Sequence, residues 1–176
     1  MEYRLLKKII YISLAVLLLT ACHNDPPVIV TGDTNQQDLR ENMINANRMI
    51  AQSEETAINE YIARRKWPMT KLPGGVRLWE YEKVSNTTIN MEDSVTVNYT
   101  IEAINGKLIY RDIEENFVVG HRRDMIGLDE AIMNLHHNSK AKVILPSHLA
   151  YGIGGDGDRI PQSAVLIIDL QIENQQ

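Results

Sequence analysis

Cys22 is the only cysteine in the chain. That excludes an intrachain disulfide, a CxxC redox pair and a zinc site built on paired thiolates. Folding must therefore rest on packing alone. Bases do not dominate either: 18 Lys and Arg stand against 23 Asp and Glu, for a net charge of -5. The cations are scattered among acids, and without a basic stripe the chain has no nucleic-acid footprint. There is no internal repeat. No apolar run is long enough to cross a bilayer, which takes about 20 residues for about 30 Å of hydrocarbon.

The apolar run Ile9 to Leu19 has a different use. Arg4, Lys7 and Lys8 precede it, and Leu19-Thr20-Ala21-Cys22 closes it. A positive start, a short apolar stretch and small residues at its end predict an export signal over residues 1–21. Leu19-Thr20-Ala21-Cys22 resembles a bacterial lipobox, in which the cysteine becomes the lipidated first residue of the mature chain. Two or more acyl chains on Cys22 would give lasting attachment, where one gives only marginal binding. The alternative is an ordinary signal peptide cut near Ala21. The lone cysteine, standing where a lipobox needs it, favours the anchor. The expected location is the cell envelope, with the anchor on a periplasmic face of either membrane or on the cell surface.

Removing the signal leaves about 155 residues, enough for one domain with a real core and a short extra element. Residues 22–37 are polar, with Pro26, Pro27 and Gly32, and read as a tether. Val28-Ile29-Val30 interrupts it as a sticky patch. Residues 38–67 form the next segment. Leu39, Met43, Ala46, Ile50 and Ala57 recur at helical spacing, and Ile58, Tyr61 and Ile62 continue the stripe, with Glu54, Glu55 and Glu60 outside it. Asp38 is the expected N-cap, and Pro68 ends the pattern after Arg65. Such a stripe can pack on the domain that follows. Its near-heptad seam over 38–65 also offers a homodimer, although Ser53 breaks it.

From Pro73 to the C-terminus the period is two, as strands require. Val76 to Tyr81, Ser94 to Ala103, Leu108 to Tyr110, Phe117 to Val119, Ala141 to Leu145 and Ala164 to Ile172 are the apolar, β-rich stretches. Asn105-Gly106 predicts a tight hairpin turn, since both residues tolerate positive φ. Asp124 to Leu135 carries Leu128, Ile132 and Leu135 at helical spacing, with Asp129 and Glu130 near its start, where the dipole favours acids. The pattern is α+β: antiparallel strands with one short helix inserted.

Two motifs mislead. Gly152 to Gly157 matches G-x-G-x-x-G, but Arg159-Ile160-Pro161 follows where a dinucleotide site needs a helix, so the stretch reads as a loop. Asp156 and Asp158 lack the spacing and closing Glu of an EF-hand. His136 and His137 are adjacent and point to different sides of any regular element, so neither a metal nor another cofactor is expected.

The order Val97-Asn98-Tyr99-Thr100, Asn105-Gly106-Lys107, Met125-Ile126-Gly127-Leu128-Asp129-Glu130-Ala131, Ala150-Tyr151-Gly152, Arg159-Ile160-Pro161-Gln162-Ser163-Ala164 and Leu166 to Leu170 resembles the FKBP family of peptidyl-prolyl isomerases. The resemblance covers residues 73–176. With the lipobox, the helical lead and Pro146-Ser147-His148, the chain is also similar to the gliding-motility-associated FKBP-type lipoproteins of the Bacteroidetes group. It implies a curved antiparallel sheet around one short helix, and an envelope-bound isomerase whose partners are proline-containing exported polypeptides.

The resemblance also implies a site. Tyr99 would line the floor beside the twisted carbonyl, Met125 would offer its backbone N–H, and Tyr151 its hydroxyl. Leu128 would lie under the proline ring, Ile160 would close one side, Ile168 the far wall, and Ile109 with Tyr110 would stand on the strand after the turn. The chain departs from the family pattern at several of these places. Leu128 stands where Trp is common, and Ile109 and Ile168 where Phe is common. Tyr110 replaces an Asp, and Glu115 falls near another pocket Phe. The floor is aliphatic, so macrolide binding is expected to be weak. A second function stays open beside isomerisation: a binding module that acts as chaperone or scaffold.

Overall fold

Helix α1 (Gly32–Arg65) leads into the fold in the computed structural model, which describes residues 32–174. The export signal, Cys22 and most of the tether lie outside the described residues. The helix starts at Gly32 rather than at the Asp38 cap, because residues 33–37 contain no breaker to stop it. The chain divides within α1 between Asn42 and Met43, and the packing below belongs to the second unit. Among the described residues no helix is long and apolar enough to cross a membrane.

The buried face of α1 is shorter than the stripe read from the sequence. Ile58 and Tyr61 are buried, while Leu39, Met43 and Ile50 are exposed. Glu54, placed outside the apolar face by the sequence pattern, is buried as well. Its carboxylate accepts the Ser147 backbone N–H at 2.9 Å and the Ser147 hydroxyl at 2.5 Å. The buried Arg77 side chain reaches the same helix, donating to Glu55 at 2.5 Å and Asn59 at 3.3 Å. Partnered in this way, both ionic groups can leave water.

Six strands follow: β1 (Thr70–Lys71), β2 (Arg77–Lys83), β3 (Ser94–Ala103), β4 (Leu108–Val118), β5 (Ser139–Leu145) and β6 (Leu166–Asn174). They form one sheet in the order β1-β2-β5-β6-β3-β4, with every neighbouring pair antiparallel. The alternation expected for β3 holds, with Val95, Val97, Tyr99, Ile101 and Ala103 all buried. These residues share the inner face with Leu166, Ile168, Leu170 and Ile172 of β6. Helix α2 (Ile126–Ile132) packs there through Leu128, Ala131 and Ile132. Gly127 allows the approach, since a Cβ would stand 2.9 Å from both Leu145 Cδ2 and Leu149 Cβ.

The outer face has its own core: Ile144, Val165 and Ile167 of the sheet side against Ile58 and Tyr61 of α1. Full burial of a side chain such as Ile58 contributes about 1.5–3 kcal/mol. The expected α+β architecture is therefore present, with a helical layer on each face.

The structure adds three local details. Leu108 to Tyr110 and Phe117 to Val118 belong to one long strand, β4, bent where Asp112 takes φ 52° and the β3–β4 register shifts. At the hairpin only Gly106 has positive φ; Asn105 instead accepts the Lys107 N–H on its side chain at 3.0 Å. Asp129 is buried and accepts the Arg122 backbone N–H at 3.0 Å, while Glu130 accepts the Gly74 N–H at 2.9 Å. Both helix acids thus bind neighbouring loops.

Candidate functional site

Period-two burial carries Tyr99 to the inner face of β3, where its ring is buried in the same apolar cluster as Ile109, Met125, Leu128, Ile160 and Ile168. Tyr110 and Tyr151 pack against that cluster while partly exposed. The residues singled out from the sequence come from β3, β4, the start of α2, the loop before β6 and β6 itself, and all belong to the inner core or pack against it.

A buried phenol needs a partner. The Tyr99 hydroxyl donates to Glu115 Oε2 at 2.8 Å, and the same oxygen receives Arg122 Nη1 at 2.8 Å. The Arg122 side chain is only 6% exposed. Its other edge meets Asp124, with Nε at 3.1 Å from Oδ1 and Nη2 at 3.3 Å from Oδ2. Asp124 Oδ2 lies 3.4 Å from the Tyr151 hydroxyl, and Oδ1 accepts the Met125 N–H at 2.9 Å. Tyr99, Tyr151 and the Met125 amide are thus joined by one ionic chain, Glu115–Arg122–Asp124. The guanidinium also stacks on Phe117, 4.9 Å from the ring centroid.

Burial and neighbouring charge together set the protonation of the two phenols, Arg122 and Asp124. Burial raises the Tyr99 phenol far above its ordinary value, and the hydrogen bond to Glu115 adds to it. Burial first, and the Asp124 charge second, push Tyr151 up to about 12. Burial also pulls Asp124 upward, but Arg122 and the Met125 N–H outweigh it and hold the carboxyl below its usual range. Burial works against the Arg122 charge, yet Glu115 and Asp124 keep the guanidinium protonated. At neutral pH the two hydroxyls are therefore neutral donors, and Arg122 and Asp124 are charged.

A second network shapes the loop. The Tyr110 hydroxyl donates to Asp156 Oδ2 at 2.5 Å, and this bond is the main cause of its rise to about 12. Asp156 Oδ1 accepts the backbone N–H groups of Ile160 at 2.8 Å and Asp158 at 2.9 Å. Gly155, at φ 67°, closes the turn, since a Cβ there would collide with the Ile160 carbonyl oxygen. Tyr110 thus positions Ile160 indirectly, and the glycine-rich stretch is a loop.

Several of these residues have other engagements in the structure. The Met125 N–H is taken up by Asp124 and does not face an open cleft. Leu128 and Ile168 are fully buried and serve first as core. Glu115 forms no apolar wall; it is the acceptor that ties Tyr99 to Arg122. Arg122, Asp124 and Asp156 escaped the sequence reading. The one available signal was a cation two residues before an acid just ahead of a helix, and it also fits a solvated loop.

Solved structures share this architecture. A peptidyl-prolyl cis-trans isomerase from Pseudomonas syringae superposes with a TM-score of 0.61 at 21% identity, over 72% of this chain and 93% of that one. AtFKBP13 gives 0.55 at 19% identity, over 61% and 98%. These identities speak for the fold alone, which is FKBP-like. In sequence, FK506-binding protein 1 of Debaryomyces hansenii is 36% identical over 86 residues, 47% of this chain and 77% of the relative. FK506-binding protein 2 of Dictyostelium discoideum is 28% identical over 109 residues, 60% and 80%. Peptidyl-prolyl cis-trans isomerase FKBP10 of Bos taurus is 39% identical over 57 residues, and the match spans only 10% of that longer protein. Residues 85–173 match the FKBP-type peptidyl-prolyl cis-trans isomerase model. The chain belongs to the FKBP-type peptidyl-prolyl cis-trans isomerase family.

Proposed function

We propose that this chain is a prolyl isomerase held at a membrane by acyl chains on Cys22, where it speeds the folding of proline-containing exported polypeptides in the cell envelope. The signal and lipobox over residues 1–22 support the location, and the combination is similar to the gliding-motility-associated FKBP-type lipoproteins. The site chemistry requires no nucleophile. An X-Pro bond turns over a barrier of about 18–20 kcal/mol and takes tens of seconds unaided. At the twisted transition state the amide loses resonance and charge separation, so an apolar pocket suits it better than water does.

One observation carries the reading: the Tyr99 and Tyr151 hydroxyls stand at the two ends of one ionic chain against a single apolar cluster. The Tyr151 contact to Asp124 is long, at 3.4 Å, against about 2.5–3.0 Å for a good O–H···O bond. That phenol is available to a substrate carbonyl. The test is turnover of an X-Pro peptide by the full chain. A rate well above background that falls in Tyr151→Phe and Tyr99→Ala is expected; unchanged rates in both variants would overturn the assignment.

A second reading has its own observation. The aliphatic floor is sealed and the Met125 N–H is engaged, which favours a slow or inactive module that binds clients as a chaperone or scaffold. Suppression of client aggregation without isomerase turnover would select it. Homodimerisation through 38–65 is proposed on the exposed Leu39, Met43, Ile44, Met49 and Ile50. A monomer by sedimentation at all concentrations would remove it.

A further inference from the structure

Both tryptophans of the chain lie outside the isomerase site. Trp67 and Trp79 stand 6.1 Å apart between centroids, in a row with Tyr61 at 5.6 Å from Trp67 and Tyr81 at 5.7 Å from Trp79. The Tyr61–Trp67 end of this row adjoins a cavity of about 280 Å³ on the outer face of the sheet. The cavity lies between the C-terminal end of α1 and strands β3, β4, β5 and β6, with Thr100 and Ile167 on its sheet side.

Its charges are unevenly satisfied. Asp169 is fully engaged, receiving Lys142 Nζ at 2.6 Å and the Tyr81 hydroxyl at 3.0 Å. Arg65 is held in place by rings, its guanidinium 4.6 Å from the Tyr61 centroid and 5.3 Å from that of Trp67. Stacking uses the face of a guanidinium and leaves its N–H edge free. Among the described residues no carboxylate or carbonyl meets that edge, and Arg111, which lines the same cavity, has no ion pair or hydrogen bond either. Among the described residues Glu102 is the one carboxylate of the lining with neither an ion pair nor a hydrogen bond. Two forks against one acid leave a positive excess, in a chain whose net charge is -5.

We propose that this cavity binds a phosphate or carboxylate group carried on a small body with a flat apolar side. The Arg65 and Arg111 forks take the anionic oxygens, as guanidinium does wherever planar two-point recognition is needed. Trp67 and Ile167 take the apolar side. Glu102 sets the limit: it disfavours highly charged anions and favours a single acidic group. The site is separate from the isomerase cleft and does not depend on that activity.

The test uses the full chain carrying Cys22→Ser, titrated with phenyl phosphate and read by calorimetry and by the two indole N–H signals, with Trp79→Phe to assign them. The expected result is a saturable shift of the Trp67 signal that neither phenol nor potassium chloride of equal ionic strength produces. Arg111→Gln should weaken binding about tenfold, as the loss of one charged hydrogen bond does. Arg65→Gln should weaken it at least as much, and both variants should keep their isomerase rate. Vesicles identify the source of the group: sedimentation with phosphatidylglycerol, but not phosphatidylcholine, that is lost in Arg111→Gln assigns it to a lipid headgroup. Phenyl phosphate binding without such sedimentation assigns it to a soluble ligand. No saturable shift, equal affinity in Arg111→Gln, or equal binding of phenol would overturn the proposal.

Discussion

Replacing Arg122 with Met keeps much of the side-chain volume and removes only the charge at the centre of the site. The guanidinium is 6% exposed and serves Glu115 at 2.8 Å and Asp124 at 3.1 Å. Breaking a buried pair by deleting one partner costs about 3–5 kcal/mol. Here the carboxylates are 36% and 46% exposed, so water re-solvates much of what is lost. The expected destabilisation is accordingly about 2 kcal/mol at neutral pH, read as a fall of about 1 M in the urea midpoint. Arg123→Met, one residue along and exposed, should change stability by less than about 0.5 kcal/mol. The pH dependence adds a signature. Arg122 depresses the Asp124 carboxyl, a contribution present above the unfolded value and lost as pH falls through the folded one. Wild type and Arg122→Met should therefore converge in acid. In the X-Pro assay kcat/KM should fall about tenfold, since both phenols lose their common anchor. An Arg122→Met protein as stable and as fast as Arg123→Met would refute the ionic chain as the organiser of the site.

Other outcomes follow from the same geometry. Ile58→Ala should lower stability by about 2–5 kcal/mol in chemical denaturation, because Ile58 is fully enclosed between α1 and the outer face of the sheet. Glu54→Ala should cost about 1–3 kcal/mol, as it strands the Ser147 N–H and hydroxyl; no change would mean that α1 does not brace that turn. Gly155→Ala should cost about 1–3 kcal/mol and slow turnover, since the added Cβ meets the Ile160 carbonyl at φ 67°. Tyr110 and Tyr151 hold their protons up to about 12, so their contribution to stability is intact below about 10 and lost as pH rises through the folded values. Tyrosinate absorbance near pH 10 from all seven tyrosines would contradict this.

The strands most legible in the sequence are those with one face buried. Ser94 to Ala103 alternates without a break, and its bounds agree with β3. Strand β4 was harder, because Glu114 and Glu115 interrupt the apolar pattern that its ends show. Glu115 is there to receive Tyr99 and Arg122, and a polar residue in that role carries no periodic signal. The α1 stripe misled in the other direction. A helix presents the same apolar spacing whether or not a sheet lies against it, and here Ile58 and Tyr61, near its C-terminal end, are the buried residues packed on the sheet.

The amino-acid order alone determined the α+β class, the family and the apolar set around Tyr99 and Tyr151, because strand and helix periods and turn residues are local properties. Only the tertiary structure decided which of two adjacent arginines is buried, which acids hold it, and that the Met125 N–H faces Asp124. Those choices depend on side chains far apart in sequence finding one another in a medium where an unpaired charge is costly. One-dimensional spacing does not encode that.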